Sequence, residues 1–300
     1  MTDYVARLEK LEHFLIGISF LVCVLIVIVF VYFSFRYKRK RDDEKLEESS
    51  HHNTILEFTW SFIPFVIFMG SFVWGWILYS DFRREAPRDS LEIHVYGQKW
   101  NWEFVYKNGR KTSNELFVPV KRSVKLIMTS RDVIHSFYIP TFKIKQDVLP
   151  GLYTSLWFKA NRKGRFEVFC TEFCGTGHST MGAKLKVMSL EDWNNWLKTD
   201  PYKNLSLVEV GQKVFQGRCT ACHNSTKEKL IGPGLAGIYN TQRELEGGMT
   251  LLADENYLRE SILNPSAKIS KGYANQMTPF AGLLSEEELS GLIEYIKSLN

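Results

Sequence analysis

The sequence predicts a multidomain chain of three parts: a hairpin of two membrane-spanning helices, an all-β domain and an all-α domain. Three observations carry this. Two uncharged apolar runs fall early in the chain, a stretch of alternating β-branched and aromatic residues follows, and the C-terminal part has helical periodicity. The expected parts are residues 1–80, 81–200 and 201–300 of the 300.

Residues 14–35 (FLIGISFLVCVLIVIVFVYFSF) and 58–80 (FTWSFIPFVIFMGSFVWGWILYS) form the two runs. Each can cross a hydrocarbon core roughly 30 Å thick, which takes about 20 helical residues. A cleavable signal peptide is the competing reading of the first run. Its apolar part is longer than the ~7–15 residues of such a signal, no small-residue cleavage site follows, and a polybasic stretch does. Pro64 is tolerable inside a membrane helix, where neighbours satisfy the freed carbonyl. Arg36, Lys38, Arg39, Lys40 and Arg41 directly follow the first run, with the acidic DDEKLEE after them. The positive-inside rule makes that loop cytoplasmic. Both termini, and everything from Asp81 onward, are then expected outside, in the periplasm or its equivalent. Cys23 has no small-residue lipobox before it, so a packed thiol is expected there.

The strand-like stretch runs from Leu91 to Met188, with LEIHVYGQKWNWEFVY, SVKLIMTS, YTSLWFKA and RFEVFC separated by turn residues. It reads as an antiparallel β-sandwich or barrel. The helical stretch runs from Leu205 to Asn300. Ser285 and Glu288 form a capping box before Leu289, Leu292, Ile293, Ile296 and Leu299 at helical spacing. The polar LKTDPYKNLS joins the two.

CTEFCGTGHSTM, residues 170–181, concentrates soft donors in a chain with only five cysteines. Cys170, Cys174, His178 and Met181 sit at a strand end and in the loop after it. His, Cys and Met on such a loop form the ligand set of a copper electron-transfer site, with Met as a weak axial ligand. A mononuclear blue-copper site uses one thiolate, and here there are two. A second imidazole must come from upstream, and His135 in DVIHSFYIP, placed at the end of SVKLIMTS and its turn, is the candidate. Three other readings compete: a Cys170–Cys174 disulfide, a structural zinc, which has little use for Met, and ordinary core residues.

DVIHSFYIP, KIKQDVLPG and CTEFCGTGHSTM together resemble the CuA domain of subunit II of the haem-copper cytochrome c oxidases, and the resemblance extends back through both membrane helices. It implies a cupredoxin-like, Greek-key fold and a dinuclear copper centre. In that centre the thiolates of Cys170 and Cys174 bridge both metals, His135 and His178 bind one each, and Met181 and the carbonyl of Glu172 complete them. It further implies that Trp100, in YGQKWNWEF, is an exposed ring through which an electron enters, with Asn101 where the family usually has an aromatic residue. Glu57, in LEFTWSFIP, matches the mouth of a proton pathway into subunit I; its plain alternative is a charge at a helix end. The Glu172 side chain matches one that helps to bind magnesium against subunit I. Leu152 stands where many members have arginine.

CTACH matches C-x-x-C-H, the attachment motif of a c-type haem, with Cys219 and Cys222 as thioether positions and His223 as proximal ligand. A thioredoxin-like C-x-x-C competes, but the following His and the helical surroundings count against it. Met277 and Met249 are rival sixth ligands. Resemblance to small class I cytochromes c favours Met277, in MTPF. It also gives GPGL (232–235) as the loop that orients the histidine, and Gly211 and Phe215 as residues packing on the last helix near Tyr295. His13, His51, His52 and His94 have no ligand spacing.

Residues 81–202 carry 20 basic against 13 acidic side chains, and residues 203–300 carry 10 against 11. The acidic face that steers soluble cytochrome c to many oxidases is therefore not expected. A fused cytochrome would make such steering unnecessary, because a tether of roughly ten residues holds it at about millimolar effective concentration.

The resemblances imply a caa3-type subunit II that passes electrons from a donor through haem c to copper and on to subunit I, where O2 is reduced. Expected partners are subunit I and the other oxidase subunits, the lipid bilayer and an electron donor. That donor would be a soluble or membrane cytochrome or a quinol–cytochrome c reductase; no nucleic acid is expected. The nearest rival is the input subunit of a copper-containing nitric oxide reductase, and a more distant one is a membrane-anchored copper-handling protein. Quinol oxidase subunit II lacks the copper ligands.

Overall fold

The structure, a computed structural model, describes residues 3–40 and 52–299. Arg41, the DDEKLEE stretch and His51 lie outside the described residues. The chain forms two compact units, Met1–Glu85 and Ala86–Asn300.

The first unit is a pair of helices, α1 (Asp3–Arg36, 34 residues) and α2 (Thr54–Phe82, 29 residues). The Asn53 side chain accepts from Leu56 N at 3.1 Å and starts α2. The helices meet through Tyr4 and Phe82, with ring centroids 5.4 Å apart, through Phe14 and Trp74 at 5.8 Å, and through an Arg7–Asp81 ion pair at 2.6 Å. Most other apolar side chains point outward; Phe30 is 71% exposed and Phe35 79%. A helix apolar on every side, yet not covered by protein, is what a membrane span looks like.

The second unit begins with two five-stranded sheets. Their strands are β1 (Leu91–Gln98), β2 (Asn101–Tyr106), β3 (Lys111–Ser113), β4 (Glu115–Pro119), β5 (Ser123–Ser130), β6 (His135–Ile139), β7 (Ile144–Val148), β8 (Thr154–Lys159), β9 (Gly164–Cys170) and β10 (Gly182–Met188). The orders are β3-β2-β1-β5-β8 and β4-β10-β9-β6-β7. This is a cupredoxin-like sandwich, but it is mixed and not purely antiparallel, because β1 pairs with β5 and β4 with β10 in parallel. Side-chain alternation is the same for either direction, so the sequence pattern could not distinguish them. Trp102, Phe104 and Phe137 interleave at the centre, the Trp102 and Phe137 rings edge to face at 5.1 Å. Burying each contributes on the order of 1.5–3 kcal/mol. Helix α3 (Leu190–Lys198) closes one end by laying Trp196 on Phe117, with centroids 4.7 Å apart.

The helical part contains α4 (Leu207–Arg218), a hairpin of β11 (Gln242–Glu244) and β12 (Thr250–Leu252), α5 (Glu255–Leu263) and α6 (Glu286–Ser298). Reciprocal capping boxes, Ser206/Glu209 and Ser285/Glu288, start α4 and α6. The two helices approach so closely that a Cβ on Gly211 would lie 1.9 Å from the Gly291 carbonyl oxygen. Phe215 then meets Tyr295 at 5.3 Å. The small hairpin, an addition to the expected helices, turns at Gly247 and Gly248, both with positive φ. Both ends of the join between the sandwich and the helical part are pinned: Arg110 donates to Thr199 O at 2.5 Å, and the Tyr202 hydroxyl donates to Glu288 at 2.7 Å.

Candidate metal centre and haem-attachment site

β9 and β6 bring the first two candidate ligands together. Phe137 pairs with Cys170 across the strands, so the period of two places His135, Phe137 and Cys170 on one face. His135 opens β6, so it belongs to the strand after the turn and not to the end of the preceding one. Cys170 N donates to Met181 O at 3.0 Å and Thr171 N to Ser136 O at 3.0 Å. The ligand loop therefore leaves and re-joins the sheet at one point. Within it, His178 N donates to Gly175 O at 3.0 Å and Met181 N to His178 O at 3.2 Å, which turns both side chains back toward the cysteines.

The donors converge. The two sulfurs stand 3.8 Å apart, Cys170 Sγ 3.9 Å from His135 Nδ1, Cys174 Sγ 3.5 Å from His178 Nδ1, and Cys174 Sγ 3.7 Å from Met181 Sδ. Cys170 Sγ also lies 3.3 Å from the Glu172 carbonyl oxygen. A disulfide requires ~2.05 Å, so these are two separate thiols. Cys170, Cys174, His135 and Met181 are buried. Burial works against a Cys170 thiolate, but hydrogen bonds to His135, the Ser136 amide and the Glu172 backbone outweigh it and lower the pKa to about 6. Burial and the neighbouring Cys170 push Cys174 up. A metal binds both sulfurs as thiolates; the surroundings favour that form at Cys170 and oppose it at Cys174.

Asp132, not singled out in the sequence, orients the site. Its Oδ1 accepts from His135 Nε2 at 2.8 Å and Val133 N at 2.7 Å, and its Oδ2 from Lys99 N at 2.7 Å. The second nitrogen of the imidazole is left to face the sulfur. Trp100, expected to be exposed, is only 3% exposed. Its indole donates to Cys174 O at 3.2 Å, and a Cβ on Gly177 would fall 2.4 Å from its ring. Residues far along the chain cover it.

Other expected positions lie apart. The Glu172 side chain is exposed, and Leu152 is 60% exposed. Glu57 stands in the first turn of α2, in the other unit, where it accepts from Asn53 N at 3.4 Å and contacts His52 Nδ1 at 2.9 Å. That is the geometry of a helix-capping carboxylate.

The haem motif follows α4 directly. Cys222 N and His223 N donate back to Cys219 O at 3.1 and 2.9 Å, so the chain keeps winding and presents Cys219, Cys222 and His223 to one cavity. That cavity is lined mostly by apolar residues, including Leu235, Ile238, Leu258 and Leu292, and by Met277. Met249 is instead 64% exposed, beside the hairpin. His223 Nδ1 lies 2.8 Å from Pro233 O; a carbonyl can only accept, so Nδ1 carries the proton and Nε2 keeps its lone pair. Burial lowers the His223 pKa, which favours the neutral form that ligates. Paired thiols, an oriented imidazole and a thioether around an apolar cavity fit a covalent haem.

Three family models match the chain: "Cytochrome C oxidase subunit II, transmembrane domain" over 2–73, "Cytochrome C oxidase subunit II, periplasmic domain" over 110–188, and "Cytochrome c" over 208–300. "Cytochrome c oxidase subunit 2" of Alkalihalophilus pseudofirmus is 28% identical over 271 residues, 86% of this chain and 77% of that one. The protein of the same name from Thermostichus vulcanus is 40% identical over 116 residues, 39% of this chain and 35% of that one. The "Alternative cytochrome c oxidase subunit 2" of Bradyrhizobium diazoefficiens is 31% identical over 38% of this chain, and the match spans 52% of its own length. The crystallised periplasmic domain of subunit II of cytochrome oxidase from Bradyrhizobium japonicum is 29% identical, with a TM-score of 0.37 over 38% of this chain and 95% of that one. The chain belongs to the subunit II family of the cytochrome c oxidases, which are oxidoreductase complexes, and it carries a cytochrome c domain after the subunit II portion.

Proposed function

We propose that the chain is the electron-input subunit of a caa3-type haem-copper oxidase, taking electrons from a donor through a covalent haem c to a dinuclear copper centre and on to subunit I. Its parts would be a membrane hairpin (1–80), a copper domain (81–200) and a cytochrome domain (201–300), with both termini and the soluble parts on the outer side of a bacterial membrane. The observation that carries this reading is the convergence of Cys170, Cys174, His135, His178, Met181 and the Glu172 carbonyl at 3.3–3.9 Å spacings. A single tetrahedral zinc takes four ligands and has no use for a thioether. A dinuclear copper centre held by Cys170, Cys174, His135, His178, Met181 and the Glu172 carbonyl would use every donor in the set.

Copper and haem held at these residues supply one-electron chemistry. The chain's own contribution is to hold the donors in place. Asp132 fixes the His135 ring, Pro233 fixes His223, and the sandwich keeps water from the sulfurs. Thiolates buried among apolar side chains, and thioether ligation by Met277, both tune the potential. In the same reading Trp100 admits the electron, Glu57 opens a proton pathway, and the Glu172 side chain contributes to a magnesium site against subunit I. The covalent haem gives a copper-handling role no support, and oxygen rather than nitric oxide as terminal acceptor accords with the named relatives.

Metal analysis and a reduced-minus-oxidised spectrum of the full chain, matured with haem and copper, test this. About two coppers and about one haem per chain are expected, with the c-type band lost in C219A/C222A and the copper retained. One copper per chain, or no covalent haem, would refute it.

A further inference from the structure

Strand β2 is buried on both faces. Trp102, Phe104 and Tyr106 point into the sandwich, so the period of two turns Asn101 and Glu103 outward, where a sheet face ordinarily meets water. Yet Glu103 is 0% exposed and Asn101 4%.

The end of α4 covers them. The Gly217 carbonyl belongs to the last turn of the helix, where carbonyls lack partners within it. It accepts from Asn101 Nδ2 at 2.7 Å, Ser113 Oγ at 2.7 Å and Asn114 Nδ2 at 3.1 Å. The next residue, Arg218, donates to Glu103 Oε2 at 2.8 Å, while Arg131 donates to Oε1 at 2.7 Å. The Arg218 side chain is 5% exposed, so this pair is desolvated, unlike an ordinary surface ion pair. On the other side, Thr278, next to Met277, donates to Lys99 O at 3.3 Å. The polar cleft between these contacts is lined by Trp100 and Thr180 from the sandwich and by Thr220 and Ala221, the two residues inside C-x-x-C-H.

We propose that the outer face of β2 and the β3–β4 turn form a fixed seat for the cytochrome domain, which reserves Trp100 for the C-x-x-C-H segment and leaves an external donor protein only the cytochrome domain to approach. Asn101, Glu103 and Arg218 are its positioning residues. The seat accounts for Asn101 standing where the resemblance implies an aromatic ring: its short amide donates to the Gly217 carbonyl at 2.7 Å, and a phenyl ring has no donor to offer. The proposal rests on the reading of the two cofactor sites given above.

The test uses the full chain assembled in its oxidase. A Cβ on Gly217 would lie 3.4 Å from Ser113 Cβ, close to the ~3.5–4.5 Å of a disulfide. In S113C/G217C, mild oxidation should remove both new thiols and give a linked 113–217 peptide in nearly every molecule. The copper centre should still be reduced by the external donor at the unsubstituted rate. Free thiols, or a linked chain whose copper is no longer reduced, would overturn the seat. E103K gives a second reading, because it sets a cation against Arg218 and Arg131: oxidative labelling of Trp100 should rise at least about fivefold, and unchanged labelling would equally overturn it. Copper and haem spectra on the same samples separate the two claims. Both signals with free thiols refute the seat alone, whereas missing signals in the unsubstituted chain refute the reading beneath it.

Discussion

Asp132 divides its carboxylate between His135 and the Val133 amide on one oxygen and the Lys99 amide on the other, so one residue ties the imidazole to the turn that carries Trp100. Carboxylates that accept the second N–H of a ligating histidine typically contribute 10–100-fold to metal affinity. Asp132→Asn is therefore expected to weaken copper binding by about 10- to 100-fold in a chelator competition, with the far-ultraviolet circular dichroism unchanged. An affinity within about twofold of the unsubstituted chain would contradict this role. The candidate ligands themselves were legible because soft donors are scarce: two of the five cysteines, a histidine and a methionine fall within residues 170–181. Asp132 was not, since an aspartate beside a turn is ordinary turn chemistry. Nor could the burial of Trp100 and Glu103 be read locally, because Trp100 lies against Gly175 and Gly177 of the ligand loop and Glu103 is covered by Arg218, more than a hundred positions further on.

At the scale of elements, the periodicities of 2 and 3.6 located the sheets and the last helix, and the Ser285/Glu288 capping box formed as the pattern required. The direction of β5 against β1 and of β10 against β4 was invisible, since parallel and antiparallel strands share one alternation. The β11–β12 hairpin escaped because three-residue strands leave almost no periodic signal. The crossing of α4 and α6 depends on Gly211. With 1.9 Å between an added Cβ and a backbone oxygen, no side-chain rotation can relieve the clash and the helices must separate. Overpacking costs about 1–3 kcal/mol, occasionally more, and the upper end applies where backbone must move. Gly211→Ala should therefore lower the melting temperature of the haem domain by more than about 10 °C, at roughly 4–8 °C per kcal/mol for a domain of this size. A melting temperature within about 2 °C of the unsubstituted value, followed by haem absorbance in the full chain, would contradict the close approach.

The whole molecule is a two-pass membrane protein with a soluble portion. In that portion a basic sandwich and a nearly neutral haem domain meet through buried contacts of their own. Long-range charge steering suits partners that must find one another by diffusion; in the proposed electron path both partners are parts of one chain, and short polar contacts would take over the task. All of this depends on what the cluster at Cys170 and Cys174 holds, and low-temperature electron paramagnetic resonance of the copper-loaded, partly oxidised full chain addresses that directly. Two coppers bridged by both sulfurs would share one unpaired electron and give a seven-line hyperfine pattern, lost when either cysteine is replaced by serine. A four-line pattern from a single copper, or no copper signal at all, would contradict the account.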